Sequence, residues 1–276
     1  MATERVGLIG LGLIGGAWAR HYAADGVLAA TWNRTPRPDA PSPVATPEAV
    51  AAASDVVQIV VADPVAVDAV IEALLPALEP RHLVIQSSTV DSKTAERSNG
   101  RVAARGAGYV EAPFTGSLPA AQARKTIFFL GGDLSAIARA EPVLERVSTL
   151  RHRIGTVGQA AALKLSFNVL VGILMEGMCE SLVTARRAGI SDDVYFDCLR
   201  GTPFWSGFHT LKEPKLRAGE YSPQFSVKHL QKDLRLAAEM TGEAALPIAS
   251  AVRDRLAELA AAGFSEQDMS ALITRL

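Results

Sequence analysis

The chain has 276 residues, of which 49% are hydrophobic and 21% charged, with a net charge of −1. That length supports one large domain or two modest ones with real cores, and the composition is that of an ordinary globular protein. Lysines and arginines are scattered without a basic stripe, which argues against nucleic acid or an anionic membrane surface as a partner.

In chain order, β-branched runs alternate with amphipathic segments. Strands are expected at 5–10, 28–33, 55–61, 82–86, 109–111 and 127–130. Helices are expected at 14–25, 47–53, 64–78 and 92–104. Thr46 suits an N-cap and Pro47 the first helical turn. The proline-rich stretch 35–43 after the second strand reads as a surface loop. Continuous apolar strands separated by helices imply a parallel sheet covered on both faces, a doubly wound α/β architecture. Residues 158–188 read as one long helix. Gly189 suits a left-handed stop and Ser191 the cap of a helix at 192–200. Further helices are expected at 226–241, 247–262 and 265–275, with no convincing strand. The fold class is therefore α/β: an N-terminal doubly wound Rossmann domain (1–157), then an all-α domain (158–276) that includes the long connecting helix.

Cys179 and Cys198 lack metal-ligand spacing and the five histidines are isolated, so no metal site is expected. Two free thiols suit a reducing cytoplasm. The start, MATERVGLIG, lacks a secretory pattern. The apolar run 169–175 is interrupted by Glu176 in a helix judged too short on apolar residues, so no membrane span is expected.

Gly10-Leu11-Gly12-Leu13-Ile14-Gly15 follows the first strand and opens the first helix, the context a dinucleotide loop requires. Gly10 permits the tight turn, Gly12 the approach of a diphosphate, and Gly15 close helix–strand packing. The helix N-terminus then faces the diphosphate. After the second strand, Asn33 stands where an NAD site usually places a carboxylate. Arg34 and Thr35 follow with a cation and a hydroxyl, so NADP is the expected cofactor.

Three further segments carry chemistry. Glu111-Ala112-Pro113-Phe114-Thr115-Gly116-Ser117 offers backbone N–H groups and two hydroxyls for a carboxylate. Gly155 to Lys164, continuing to Asn168, places Lys164 and Asn168 one turn apart on an apolar helix. Composition alone favours a lysine that snorkels to solvent. Phe225 to Leu236 contains Lys232 and Asp233 in an amphipathic helix, and an ordinary charged face explains it equally well.

Taken in order, these motifs resemble the β-hydroxyacid dehydrogenase family of the 3-hydroxyisobutyrate dehydrogenase type. The similarity is closest to the glyoxylate and succinic semialdehyde reductases. The resemblance implies that Lys164 is the proton donor and Asn168 its neighbour in catalysis, and that Thr115, Gly116 and Ser117 bind a substrate carboxylate. It implies that Phe225 and Asp233 contact substrate. Val61, Ala62, Asp63, Thr89 and Lys232 join Gly10, Gly12, Leu13, Ile14, Gly15, Asn33, Arg34 and Thr35 at the cofactor. It also implies a homo-oligomer, a dimer or tetramer. Thr115 replaces a usual Ser, Ala160 replaces a glycine, and Phe114 is bulky enough to narrow the pocket. The expected activity is NADPH-dependent reduction of a small carboxylate-bearing aldehyde or ketone. The alternatives are an imine reductase or reductive aminase, which the aromatic stretch 204–208 keeps open, and a catalytically silent NADPH-binding module.

Overall fold

The computed structural model describes residues 4–276, which form two compact units, one up to Leu165 and one from Ser166 to Leu276. In the first unit the strands are β1 (Val6–Ile9), β2 (Leu28–Trp32), β3 (Val56–Ile59), β4 (Leu83–Gln86), β5 (Gly108–Glu111), β6 (Phe114–Thr115), β7 (Thr126–Gly132) and β8 (Ser148–Gly155). The helices between them are α1 (Leu13–Ala24), α2 (Pro47–Ala53), α3 (Pro64–Leu74), α4 (Ser92–Ala103), α5 (Leu118–Gln122) and α6 (Leu134–Glu145). Sheet order is β2-β1-β3-β4-β5-β7-β6, with β8 on the other edge of β7. Strands β1 to β5 are parallel, and the order reverses at β1, where open α/β sheets bind ligands beyond the carboxyl ends of the strands. The core lies on both faces: Trp18, Tyr22, Leu8 and Phe128 on one, Ile9, Ile59, Ile71 and Leu74 on the other.

The sheet is not wholly parallel, contrary to the sequence expectation. Strand β7 runs antiparallel to β5 and β6. Only the short α5 connects β6 to β7, and a parallel return needs a crossover of about a dozen residues or more. Four elements of this unit escape the periodicity reading. Strand β6 and α5 are too short to show a pattern, and α6 contains Pro142. Strand β8 is a largely exposed edge strand carrying Arg151, His152 and Arg153, a polar edge of the kind that discourages further pairing. Helix starts behave as expected: Thr46 Oγ1 accepts from Ala49 N at 3.2 Å, with Pro47 in the first turn of α2.

Helix α7 (Val157–Arg187) is 31 residues long and belongs to the first unit up to Leu165 and to the second beyond it. By length and composition it is apolar enough to cross a membrane, with a mean hydropathy of 1.6 over its best window, so the expectation that this helix has too few apolar residues for that is corrected. Met175, Met178, Cys179 and Leu182 are buried in the core of the helical unit, which accounts for much of that apolarity.

The second unit continues with α8 (Asp192–Arg200), α9 (Gly207–Ala218), α10 (Val227–Thr241) and α11 (Pro247–Leu259), and ends in a 3-10 turn (Met269–Arg275). Helix α9 was not expected, because Gly207 opens it and Pro214 interrupts its pattern. The 3-10 turn stands where an α-helix was expected, because Gly263 leaves the helical region and Asp268 caps a new start. A buried ion pair holds these pieces. Lys212 Nζ donates to both oxygens of Asp268, at 2.8 and 2.9 Å, and both side chains are essentially solvent-free. Asp268 also accepts from the backbone N–H groups of Gln224, Phe225 and Ser270. Burial pushes the Asp268 carboxyl up, but Lys212 and these N–H groups outweigh it and hold the group below its ordinary value.

Lys212→Met leaves a buried, uncompensated carboxylate and is expected to destabilise the protein by about 3–5 kcal/mol. Denaturant unfolding followed by circular dichroism measures this, and a loss under about 1 kcal/mol would contradict the role given to the pair.

Candidate active site

At the carboxyl end of β1 the backbone turns at Gly10 with φ +99°. A Cβ at Gly10 would lie 2.1 Å from the Val60 carbonyl oxygen, and one at Gly15 would lie 1.9 Å from the Gly10 carbonyl oxygen. Helix α1 therefore meets β1 at backbone distance. A Cβ at Gly12 would meet nothing within 4 Å, so the loop has open space above it, and no side chain caps the N-terminus of α1. Open space over uncapped N–H groups fits a dinucleotide diphosphate. Leu13 is half exposed and Ile14 half-buried beside this opening.

The neighbouring loops are tied to the glycine loop. Asn33 Oδ1 accepts from Leu11 N at 2.8 Å, and its Nδ2 donates to Thr35 O at 2.7 Å. Asn33 thus joins the end of β2 to the loop after β1. Arg34 and Thr35 are exposed, and Asn33 and Arg34 line a cavity of ≈ 350 Å³ that reaches Leu11. After β3, Val61 N donates to Ser88 Oγ at 2.8 Å and Ala62 is exposed. The Asp63 carboxylate accepts from Ala66 N at 2.8 Å, so it serves as the cap of α3. Thr89 lies three residues beyond the end of β4 and is half-buried.

The strand ends beneath these loops carry a buried polar layer that the motif reading passed over. Gln86 Nε2 donates to Glu111 Oε1 at 2.8 Å and to Ser88 O at 2.9 Å, while Gln86 Oε1 accepts from Ser88 N. Tyr109 Oη donates to Glu111 Oε2 at 2.7 Å. Gln58 accepts from Tyr22 Oη and donates to Ser87 Oγ. Burial pushes the Glu111 carboxyl up to about 8, against the opposing hydrogen bonds from Tyr109 and Gln86. Glu111 is therefore largely protonated at neutral pH. The signal was present in the sequence: Gln58, Gln86 and Glu111 are polar residues in otherwise apolar strand runs.

Beyond Glu111 the chain passes Pro113 into β6. Phe114, which the sequence suggested would narrow the pocket, instead packs edge-on against Trp18 (4.9 Å between centroids) and lies 6.1 Å from Phe128. Alternation along the strand sends Phe114 and Thr115 to opposite faces. Thr115 is half-buried, Gly116 has φ +116°, and Ser117 is the N-cap of α5 but makes no side-chain capping bond. Lys164 on α7 is only 9% exposed, among buried Ala160, Ala161 and Leu165. Burial excludes the solvent-snorkelling lysine that composition alone favoured. Ala160, the departure from a glycine, is accommodated because Gly131 opposite has no side chain.

In the helical unit, Asn168 Nδ2 donates to Asp233 Oδ2 at 2.6 Å, and Lys232 Nζ lies 2.8 Å from Asp233 Oδ1. Asn168 and Asp233 are buried; α10 carries both Lys232 and Asp233. Half-buried Phe225 precedes α10, and its backbone is pinned by Asp268 and by Met269 N, which donates to Phe225 O. In the aromatic stretch, Trp205 stacks on His209 (5.5 Å) with the Arg200 guanidinium 5.0 Å from its ring centre, while Phe204 is exposed.

Comparison with known proteins agrees with this layout. Residues 5–158 match the NAD binding domain of 6-phosphogluconate dehydrogenase, and residues 158–276 match the NAD-binding family of NADP-dependent 3-hydroxyisobutyrate dehydrogenase. The chain is 28% identical to glyoxylate/succinic semialdehyde reductase 1 of Arabidopsis thaliana over 97% of its length and 96% of that protein. The crystal structure of 3-hydroxyisobutyrate dehydrogenase from Salmonella typhimurium superposes with a TM-score of 0.88 at 27% identity, covering 99% of both chains. Psf3, solved in complex with NADP+ and 2-OPP, shares the fold with a TM-score of 0.90 at 24% identity over 98% of this chain and 99% of that one.

Because Glu111 has a folded pKa raised above its unfolded value, its contribution to stability is fully present below about pH 4.5 and is lost as pH rises through about 8. Glu111→Gln is expected to flatten the fall in unfolding free energy between those pH values. Denaturant titrations of both proteins across the window measure it, and parallel curves would refute the assignment.

Proposed function

The chain belongs to the β-hydroxyacid dehydrogenase family of NAD(P)-dependent oxidoreductases, and on that premise we propose that it is an NADPH-dependent reductase of small aldehydes or ketones carrying a carboxylate. Glyoxylate, succinic semialdehyde or a related semialdehyde is the proposed substrate, in keeping with the name of the Arabidopsis relative. The observation that carries the reading is Lys164, an ammonium-bearing side chain buried on an apolar stretch of α7.

Backbone N–H groups of the 10–15 loop would hold a nicotinamide dinucleotide, with Arg34 and Thr35 at its adenosine end, and the cofactor would supply the hydride. The Thr115 and Ser117 hydroxyls, with the backbone around Gly116, bind the substrate carboxylate and so fix the direction of the carbonyl. Lys164 Nζ, protonated, donates its proton to the carbonyl oxygen as negative charge grows there. Asn168, one helical turn further along α7, has its amide oriented by Asp233 and binds substrate in one defined orientation. The protonated Glu111 adds no negative charge beneath the carboxylate loop and holds the end of β4 through Gln86.

Lys164→Ala is expected to lower kcat for aldehyde reduction by about 10²–10⁴ while the circular dichroism spectrum stays unchanged; turnover within a few-fold of the parent sinks the proton-donor assignment. A panel of carbonyls and cyclic imines, each assayed with NADPH and NADH, tests the substrate class. Glyoxylate and succinic semialdehyde should be reduced fastest, and with NADPH. Faster reduction of an imine would favour an imine reductase, and NADPH binding without any turnover would favour a silent module.

A further inference from the structure

The hairpin that carries residues 115–117 is weakly specified by its own ladder, because β6 contributes only Phe114 and Thr115, paired with Phe128 and Ile127 of β7. A slip of one residue would send Thr115 to the face that Phe114 occupies. Contacts with one stripe of α1 hold the register instead. Trp18, His21 and Asp25 stand three and four residues apart, so they share a helix face. Buried Trp18 packs edge-on against Phe114 and donates from Nε1 to Thr126 Oγ1 at 3.3 Å. His21 Nε2 lies 3.1 Å from Ala121 O, and a carbonyl only accepts, so the ring nitrogen donates. Asp25 ends the stripe at the C-cap of α1.

Arg124 is the unusual member of the hairpin. It follows α5 and turns the chain toward β7 with φ +57°, a left-handed conformation that an arginine seldom adopts. Such a conformation persists where the surrounding structure holds it. Arg124 Nη1 and Nη2 donate to Asp25 Oδ2 and Oδ1 at 2.7 and 2.8 Å, and Nη1 also donates to Arg146 O at 2.7 Å. This forked bond holds the Asp25 carboxyl below its ordinary value, and the Arg146 guanidinium, 3.5 Å from Oδ2, adds to the effect. Glycine would make the same turn without strain, so the backbone alone does not account for an arginine here.

We propose that Arg124 is a positioning residue for the substrate carboxylate: its latch onto Asp25 sets the path of residues 115–117 without touching substrate. The inference rests on the reading above, in which Thr115, Gly116 and Ser117 bind that carboxylate. Glycine at 116, with φ +116°, adds backbone freedom that an anchor beyond the loop restrains. Helix α1 thereby ties the carboxylate loop to the same element that starts from the nucleotide loop at Gly12.

Two measurements on the full-length protein test this. For amide hydrogen exchange, Arg124→Gly removes the latch while accommodating the positive φ, and Asp25→Ala breaks it from the side of α1. Both should speed exchange across residues 114–118 by about tenfold or more, the scale of one charged hydrogen bond, with β1 to β4 unchanged. For kinetics with NADPH, succinic semialdehyde is compared with butanal, which has the same chain length and no carboxylate. Arg124→Gly should raise KM for succinic semialdehyde by about ten- to a hundredfold, the scale of a small misplacement, and leave that for butanal within about twofold. Arg124→Lys should recover part of the loss, because one ammonium does not fork across both carboxylate oxygens. Unchanged exchange at 114–118, or equal losses on both aldehydes, overturns the latch and leaves the carboxylate reading standing. A parent that does not favour succinic semialdehyde over butanal overturns both.

Discussion

The close passage of α1 over the end of β1 governs the nucleotide-facing edge of the first unit. With a Cβ at Gly15 destined to lie 1.9 Å from the Gly10 carbonyl oxygen, neither position tolerates a side chain, and helix and strand meet through backbone. That contact sets where the loop of residues 10–12 emerges, and the neighbouring strand ends are fastened to it in turn. Leu11 N reaches Asn33 after β2, and Val60 N donates to Ile9 O across to β3. Val61 N then reaches Ser88 after β4, and Gln86 reaches Glu111 at the end of β5. One chain of hydrogen bonds thus runs across the carboxyl ends of the parallel strands to the segment that leads into residues 115–117.

Polar groups inside a sheet are costly, and each here is satisfied by another of its kind. The Gln86 amide uses both its donor and its acceptor, and Glu111 receives Tyr109 and Gln86. Burial raises the Glu111 pKa and so favours its neutral form over a buried negative charge at the end of β5. The strategy in the helical unit is the opposite one. Asp268 is buried beside Lys212, which holds its carboxyl below the ordinary value, and buried Asp233 lies 2.8 Å from Lys232 Nζ. Asp268 orders the backbone at Phe225, and Asp233 orients the Asn168 amide.

Much of the fold was legible residue by residue. Thr46-Pro47 started a helix as its chemistry dictates, Gly189 ended α7 at φ +80°, and Ser191 capped α8. Reading failed where local signals conflicted or were short: β6 and α5 occupy few residues, Pro142 and Pro214 sit inside real helices, and β8 is polar because it is an edge. Of the candidate site, the glycine loop announced itself through spacing. Lys164 did not, because a lysine on an apolar helix looks alike whether it snorkels or is buried.

By itself, the sequence determined the alternating elements from β1 to β5, the nucleotide loop, the long α7 and the absence of a carboxylate after β2. Each of these is written in spacing and propensity over a few residues. The tertiary structure alone decided that β7 runs antiparallel, that Phe114 turns toward Trp18, that Lys164 is shielded from solvent and that Glu111 holds a proton. It also decided that Asp233 meets Asn168 across 65 residues and that Thr31 is fastened to Pro41. Such outcomes depend on burial and on partners distant in sequence, and no local pattern encodes which polar groups packing will bring together.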